Sequence, residues 1–582
     1  MLDTVLKKEI GKIFITTFIV YCILMLFACF ISGEYTLKHS NGIILSAFNI
    51  SLASRIYIER STYYRHLSVL FLVINSIFLI KLTLGYSIEL SSVKNTVNFS
   101  IAIINIALLL PIIFKKYLVR NILCFVLLAA ILFPSFVILG YYSVTGALFA
   151  PDTLLAIAQT NLQEAIEYAK DNFSYKIVFV FILAYAGIFF IARSNVQKLA
   201  CDNYTRMLVV VCIMACLISV YKYRNNIITD IPKNASKTLV QYNKFSEGRV
   251  ARKDNMSKLL LQKKAEAGVY VLVIGESQNR AHMQAYNYHR ENTPWLESMK
   301  YDKNTLLFTK AYSCHTHTVP TLLYALTAKN QYNNVAVKNA ISLLEVAEAA
   351  GFETVWLSNQ VKFSAWDTPI TTIASEANQQ IWINSTLGES TKTDYFDEKL
   401  VEELEKIKLT DKMLIVLHLM GNHGSYDQRY PKAFQKYEGK NNVDKYDNSI
   451  LYNDYVMSKV YDRVKKIPNF KGLVYCSDHA DAVDKNLSHD SSRFDFDMTH
   501  IPLYIILSDS YIQNNIAKYE ILEKQKSKVI TNDLLFNLML ATMGIQLNDM
   551  YEANNDITAS TFDNSIQRFK TLYGKKYICE EQ

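Results

Sequence analysis

The sequence predicts an N-terminal α-helical transmembrane domain followed by a C-terminal α/β domain with a largely parallel sheet. Three observations predict this. Nearly all the long apolar runs lie before residue 223. After residue 268 the apolar runs shrink to strand length and alternate with helix-like stretches, as in a parallel sheet covered on both faces. Between them lies a polar, basic connector. The expected division is therefore 1–222, 223–267 and 268–582.

Within the first part, apolar runs occur at about 13–32, 42–58, 67–86, 98–114, 121–141, 176–194 and 207–222. By the rule of about 20 apolar residues per bilayer crossing, these predict about seven helices, with five possible because several are short. The first run is too long for a signal-peptide core and reads as an anchor. Lys and Arg accumulate in alternate loops, at Lys7, Lys8 and Lys12, at Arg55, Arg60 and Arg65, at Lys115, Lys116 and Arg120, and at Arg193, Lys198 and Arg206. Because such loops face the cytoplasm, the N-terminus is expected inside, and an odd number of crossings puts the rest of the chain outside. The loop 142–175 then also lies outside. Its DTLLAIAQTNLQEAIEY segment carries apolar residues near helical spacing, and reads equally as an interfacial amphipathic helix or as one packed on the soluble part.

The formal charge of +8 does not signal nucleic acid, because the basic residues form no stripe and no binding module is visible. Membrane topology accounts for the excess. Of nine cysteines, Cys22, Cys29, Cys124, Cys212 and Cys216 lie in apolar runs and Cys201 between two of them. Cys314, Cys476 and Cys579 remain for the soluble part, too few for a disulfide framework and without a CxxC pair.

The connector reads as short surface helices. Beyond it, strand-like runs recur at 269–275, 305–313, 353–358, 413–421, 472–476 and 501–507. In such sheets the site forms at the carboxyl ends of the strands. The first run ends in Gly275, Glu276 and Ser277; the second leads into CHTHTVP with Thr316 and Thr318; the fourth ends in GNHG with Asn422 and His423; the fifth ends in Ser477, Asp478 and His479. Singly, each has a bland reading as a helix cap or a hydrogen-bonded structural histidine. Together, two carboxylates and an imidazole make a divalent-metal site, and zinc suits a mixed oxygen and nitrogen set. A threonine hydroxyl on such a metal is acidified and can attack phosphorus without a separate strong base.

These residues resemble a known family. IGES followed by His282, Tyr288, Arg290 and TP at 293–294, then SCHTHTVP, WLSN at 356–359, HLMGNHG at 418–424, YDNSILYND at 446–454 and SDHA at 477–480 look like the membrane-bound phosphoethanolamine transferases of Gram-negative bacteria, within the alkaline phosphatase and sulfatase superfamily. The resemblance covers most of the chain after about residue 150. It implies Thr318, four residues after Cys314, as nucleophile, and Glu276, Thr318, Asp478 and His479 as Zn2+ ligands. It further implies that His423 and His489 hold substrate, and that Thr160 and Glu164 touch the lipid headgroup. The expected reaction takes phosphoethanolamine from phosphatidylethanolamine to a lipopolysaccharide acceptor, lipid A or a core sugar, through a phosphothreonine. The expected location is the bacterial inner membrane, with the catalytic domain in the periplasm. The family's lipid A-modifying branch carries several disulfides that three cysteines cannot supply, which favours a core sugar or another surface glycan. The alternative on the same fold is a phosphoglycerol transferase or a sulfatase-like hydrolase, although CHTHTVP lacks the Arg of a Cys-x-Pro-x-Arg sulfatase segment. A non-catalytic membrane sensor would have no use for a nucleophile above a full ligand set.

Overall fold

The computed structural model describes all residues except 1, 34–39, 86–87, 150–152, 156, 158–174, 198–202, 257–264, 361–368, 385–394, 548–550 and 582. The chain divides into two compact units, one of Met1–Leu154 with Asn172–Ala235 and one containing Ser236–Gln582.

In the first unit the apolar runs form helices at Leu2–Ser32, Ser40–Ser54, Arg60–Ile74, Ser76–Thr83, Leu90–Leu109, Tyr117–Thr145, Tyr175–Gln197 and Asn203–Lys222. Seven crossings were expected. Among the described residues, four helices are long and apolar enough to span a membrane, and a fifth if Arg60–Ile74 and Ser76–Thr83, bent by 42°, make one span. Ile43–Ser54 and Phe181–Ser194 are apolar but shorter. Leu90–Ile113 is the hub of the bundle, 72% buried against 17–28% for the other three long spans. On it Asn105 Oδ1 accepts from Tyr63 OH at 2.7 Å, a bond for which hydrocarbon offers no substitute. The loop helix expected at 152–168 falls mostly outside the described residues.

The connector was expected to form short helices. Instead Ile227–Glu247 is a single helix of 21 residues, capped by Asn226, whose Oδ1 accepts from the Ile228 N–H at 3.0 Å. Arg249–Met256 follows it.

The second unit is built on a seven-stranded sheet. Its strands are β1 (Val269–Gly275), β2 (Thr305–Phe308), β4 (Glu353–Ser358), β5 (Gln379–Trp382), β6 (Met413–His418), β7 (Phe470–Ser477) and β8 (Leu503–Leu507), with β3 (Lys310–Tyr312) and β9 (Val529–Thr531) paired separately. The order is β2-β8-β7-β1-β6-β4-β5. The strands from β7 to β5 run parallel, and β8 is antiparallel to both of its neighbours. β1 shows why a continuous apolar run is required. Tyr270, Leu272 and Ile274 enter the core on one face of the sheet, while Val269, Val271 and Val273 enter the core on the other. The register places Gly275 beside Ser477, and His418 beside both Ile274 and Ser358, so the carboxyl ends of β7, β1, β6 and β4 finish at one edge.

Two details differ from expectation. The 305–313 run is not one strand: β2 ends at Phe308, and β3 leaves for its own two-stranded sheet with β9. The loop that carries Thr318 is thus delivered by the small sheet and not by the main one. β5 was not anticipated, because QQIW is polar at its start and only partly buried, as suits an edge strand.

Candidate active site

Glu276 follows β1 directly, and Asp478 and His479 follow β7, so adjacent parallel strands deliver three ligand-type side chains to one point. Local backbone geometry turns them together. Ser277 adopts a left-handed φ of 54°, its N–H donates to Asp478 Oδ1 at 3.0 Å, and its hydroxyl donates to Glu276 Oε1 at 2.9 Å. The His479 N–H donates to the same Asp478 oxygen at 2.6 Å. The loop after β6 closes over Glu276 because residue 421 is glycine. With φ at +53°, a Cβ there would lie 2.8 Å from the Glu276 carbonyl oxygen, which also accepts the Asn422 N–H at 2.9 Å.

Thr318 opens the helix Thr318–Ala325. Its Oγ1 lies 3.2 and 3.4 Å from the two Glu276 carboxylate oxygens and 3.4 Å from His479 Nε2. His479 Nε2 is itself 3.2 Å from Glu276 Oε1 and 3.4 Å from Asp478 Oδ2. Thr316 is buried, and its Oγ1 has no hydrogen-bond partner among the described residues. Of the two hydroxyls in CHTHT, that of Thr318 meets the carboxylates.

The donor set fits a divalent cation. Ligand atoms of Glu276, Asp478 and His479 all lie within 4.8 Å of one another. Asp478 Oδ2 is buried yet accepts no hydrogen bond among the described residues, a costly arrangement for a carboxylate without a counterion. Burial pushes the Glu276 carboxyl up to about 7; burial, then the Glu276 charge beside it, does the same to Asp478. Burial lowers His479. Each group is driven toward its neutral form, which a bound cation would reverse for the carboxylates.

His489 and His423 stand beside this set. The His489 ring is 4.4 Å from that of His479 and 6.4 Å from that of His423. His489 Nδ1 is 2.7 Å from Asp481 Oδ1. Burial opposes its protonation, but the Asp481 carboxylate, together with the charges of Glu276 and Asp478, outweighs burial and raises it to about 9. His423 is neutral by contrast, held at about 3 by burial and then by Arg429, and its Nδ1 has no hydrogen-bond partner among the described residues. Thr160 and Glu164 lie outside the described residues. Sequence reasoning missed Asp481 and Gln360. Asp481 orients His489 and accepts from Tyr426 OH at 2.5 Å; its signal was its place two residues after His479. Gln360 Nε2 donates to Leu419 O at 2.8 Å and reaches Glu276 Oε2 at 3.5 Å; no signal marked it.

The sulfatase family profile matches residues 269–545. Phosphoethanolamine transferase EptC of Escherichia coli (strain K12) is 28% identical over 389 residues, spanning 60% of this chain and 67% of its own length. The chain is therefore similar to proteins named phosphoethanolamine transferases. Phosphoethanolamine transferase CptA of Salmonella typhimurium is 27% identical over 391 residues, covering 60% of this chain and 67% of its own. The structure of the integral membrane protein lipooligosaccharide phosphoethanolamine transferase A from Neisseria meningitidis superposes with a TM-score of 0.57 at 18% identity, over 87% of this chain and 98% of that one. That likeness supports the fold of this chain, apolar helices followed by a sulfatase-like α/β domain.

Proposed function

We propose that this protein transfers phosphoethanolamine from phosphatidylethanolamine to a lipopolysaccharide acceptor through a covalent phosphothreonine on Thr318. The observation that carries this reading is the placement of Thr318 Oγ1 within 3.4 Å of both Glu276 and His479, at the start of a helix whose free N–H groups favour a phosphate. Glu276, Asp478, His479 and Thr318 would hold the cation, and zinc matches their oxygen and nitrogen donors. Bound there, it would acidify the Thr318 hydroxyl and neutralise charge on the phosphate oxygens.

The chain's own groups supply the rest. Thr318 Oγ1, its proton lost to solvent before the cycle begins, attacks as the alkoxide, forms a bond to phosphorus as the bond to the diacylglycerol oxygen breaks, and is later released as the alkoxide again. His489, protonated and fixed by Asp481, gives the leaving oxygen its proton. In the second half-reaction an acceptor hydroxyl attacks the phosphothreonine, its proton returns to His489, and Thr318 is released. Neutral His423, with an unpartnered Nδ1, orients the phosphoryl group. Thr160 and Glu164 are assigned to the lipid headgroup on the family resemblance. The loop charges support a division into a 1–222 membrane part, a 223–267 connector and a 268–582 periplasmic catalytic part, in a bacterial inner membrane.

Intact-mass measurement tests the reading. Full-length protein given phosphatidylethanolamine alone is expected to release diacylglycerol and gain one phosphoethanolamine on the Thr318 peptide. Diacylglycerol release with no adduct would favour a hydrolase.

A further inference from the structure

A cavity of about 1230 Å³ lies between the second half of the helix Ile227–Glu247, the start of Arg249–Met256 and the loop 329–341. Its wall is firmly held. Arg252 is buried, its guanidinium bonded to both Glu345 carboxylate oxygens at 3.0 and 3.1 Å, to Glu376 at 3.1 Å and to the Phe245 carbonyl at 2.6 Å. At Gly248 the helix approaches the loop so closely that a Cβ would lie 2.4 Å from the Lys338 carbonyl oxygen. This is preformed concave surface, as binding sites generally are.

Its chemistry is basic and amide-rich with one aromatic face. Lys244, Lys329 and Lys338 line it against a single acid, Glu247. Lys244 and Lys338 are exposed and form no ion pair among the described residues. Tyr324 also lines it. That ring stacks on Tyr573 with centroids 4.3 Å apart and 24° between planes, and Lys329 Nζ lies 5.1 Å from its centroid.

The groove shares a helix with Thr318. Tyr324 lies on the helix that Thr318 begins, six residues on and so about 9 Å along the axis. Tyr573 ties the two ends together: its OH donates to Pro320 O at 2.7 Å and its ring is 5.0 Å from that of His315. It does so from a left-handed φ of 54°, a strain that persists only where the surroundings enforce it.

We propose that this groove is an acceptor subsite that holds a phosphorylated sugar, the sugar face against Tyr324 and the phosphate near Lys244 and Lys338. The proposal rests on the transferase reading above and adds where the acceptor docks. Stacking on an aromatic face and lysine contacts to phosphate are recognition modes these residues can supply.

The test uses the full chain in detergent and two readouts. Release of diacylglycerol from phosphatidylethanolamine without acceptor reports the first half-reaction. Transfer to a phosphorylated core oligosaccharide, prepared from lipopolysaccharide and freed of lipid, reports the second. The Lys244→Glu, Lys338→Glu double variant is expected to release diacylglycerol at the wild-type rate. Its KM for the oligosaccharide should rise about five- to tenfold, the combined effect of two partly solvated charges, with kcat unchanged. Phosphatase-treated oligosaccharide should bind wild type weakly and be indifferent to the substitutions. A wild-type protein that releases no diacylglycerol would overturn the transferase reading, and with it this one. Normal release with an unchanged acceptor KM in the double variant would overturn the groove alone. So would competition by phosphatidylglycerol vesicles as effective as that of the oligosaccharide, which would mark the groove as a lipid contact.

Discussion

Thr318 and Thr316 are both threonines in a histidine-rich loop, and their surroundings separate them. Thr318 Oγ1 faces Glu276 and His479, whereas Thr316 Oγ1 is buried without a partner. Thr318→Ala is therefore expected to abolish the phosphoethanolamine adduct, and Thr318→Ser to retain part of it, as read by intact mass. Thr316→Ala should keep substantial transfer, and its loss of activity with an intact fold would move the nucleophile. Asp481→Asn is expected to lower the rate of transfer by about 10²-fold or more, the range of a positioned acid or base, because it removes the anion that keeps His489 protonated and aimed. Metal content, read by elemental analysis, should stay at the wild-type level in His423→Ala and fall in Glu276→Ala and Asp478→Ala. The ligand-type residues were legible because each follows a strand that reads as one. Asp481 and Gln360 were not, since their roles come from contacts with His489 and Glu276 across the fold.

At the scale of elements, buried carboxylates hold helices in place. Asp454 accepts the N–H groups of Trp295 and Leu296 at 2.8 and 3.1 Å, at the start of the helix Pro294–Met299. Burial nonetheless raises it from 3.8 to about 7. The folded value lies above the unfolded one, so the folded state binds the extra proton. This contribution is then full below about pH 4 and is lost as pH rises toward 7. Asp454→Asn should flatten that part of the stability profile, measured as the difference in thermal unfolding between wild type and variant at pH 5 and pH 7.5. Arg252 presents the opposite case. It neutralises Glu345 and Glu376, whose side chains are 8% and 3% exposed, so Arg252→Ala leaves two buried charges unpaired and should cost about 3–5 kcal/mol. A urea unfolding midpoint unchanged by the substitution would contradict this. By the same argument a soluble fragment beginning at residue 236, which keeps Arg252, should be more stable than one beginning at 265. The connector's helical character was readable from composition, but its length and this anchor were not, because Glu345 and Glu376 lie far along the chain from Arg252.

For the whole molecule, the alternating loop charges make a prediction that span lengths do not. A reporter fused after residue 225 should be active only outside the cytoplasm, and one fused near Lys198 only inside; cytoplasmic activity of the first would reverse the parity of the crossings. Composition and periodicity alone determined that this chain combines apolar helices with an α/β sheet, because an element that buries both faces must be largely apolar and β1, β6 and β7 are. They likewise determined which residues stand at strand ends, since strand boundaries are local events. Tertiary structure decided the rest. The order β7-β1-β6 sets which strand ends are neighbours, and nothing in the sequence of β1 states that β7, some two hundred residues later, will lie beside it. The separate β3–β9 sheet decides how Thr318 reaches the carboxylates, and the pinning of the connector by Arg252 decides that a basic groove lies beside the nucleophile's helix. Each depends on contacts between distant segments, whose pairing is selected by the packing of the whole domain and not by the local preferences that a sequence displays.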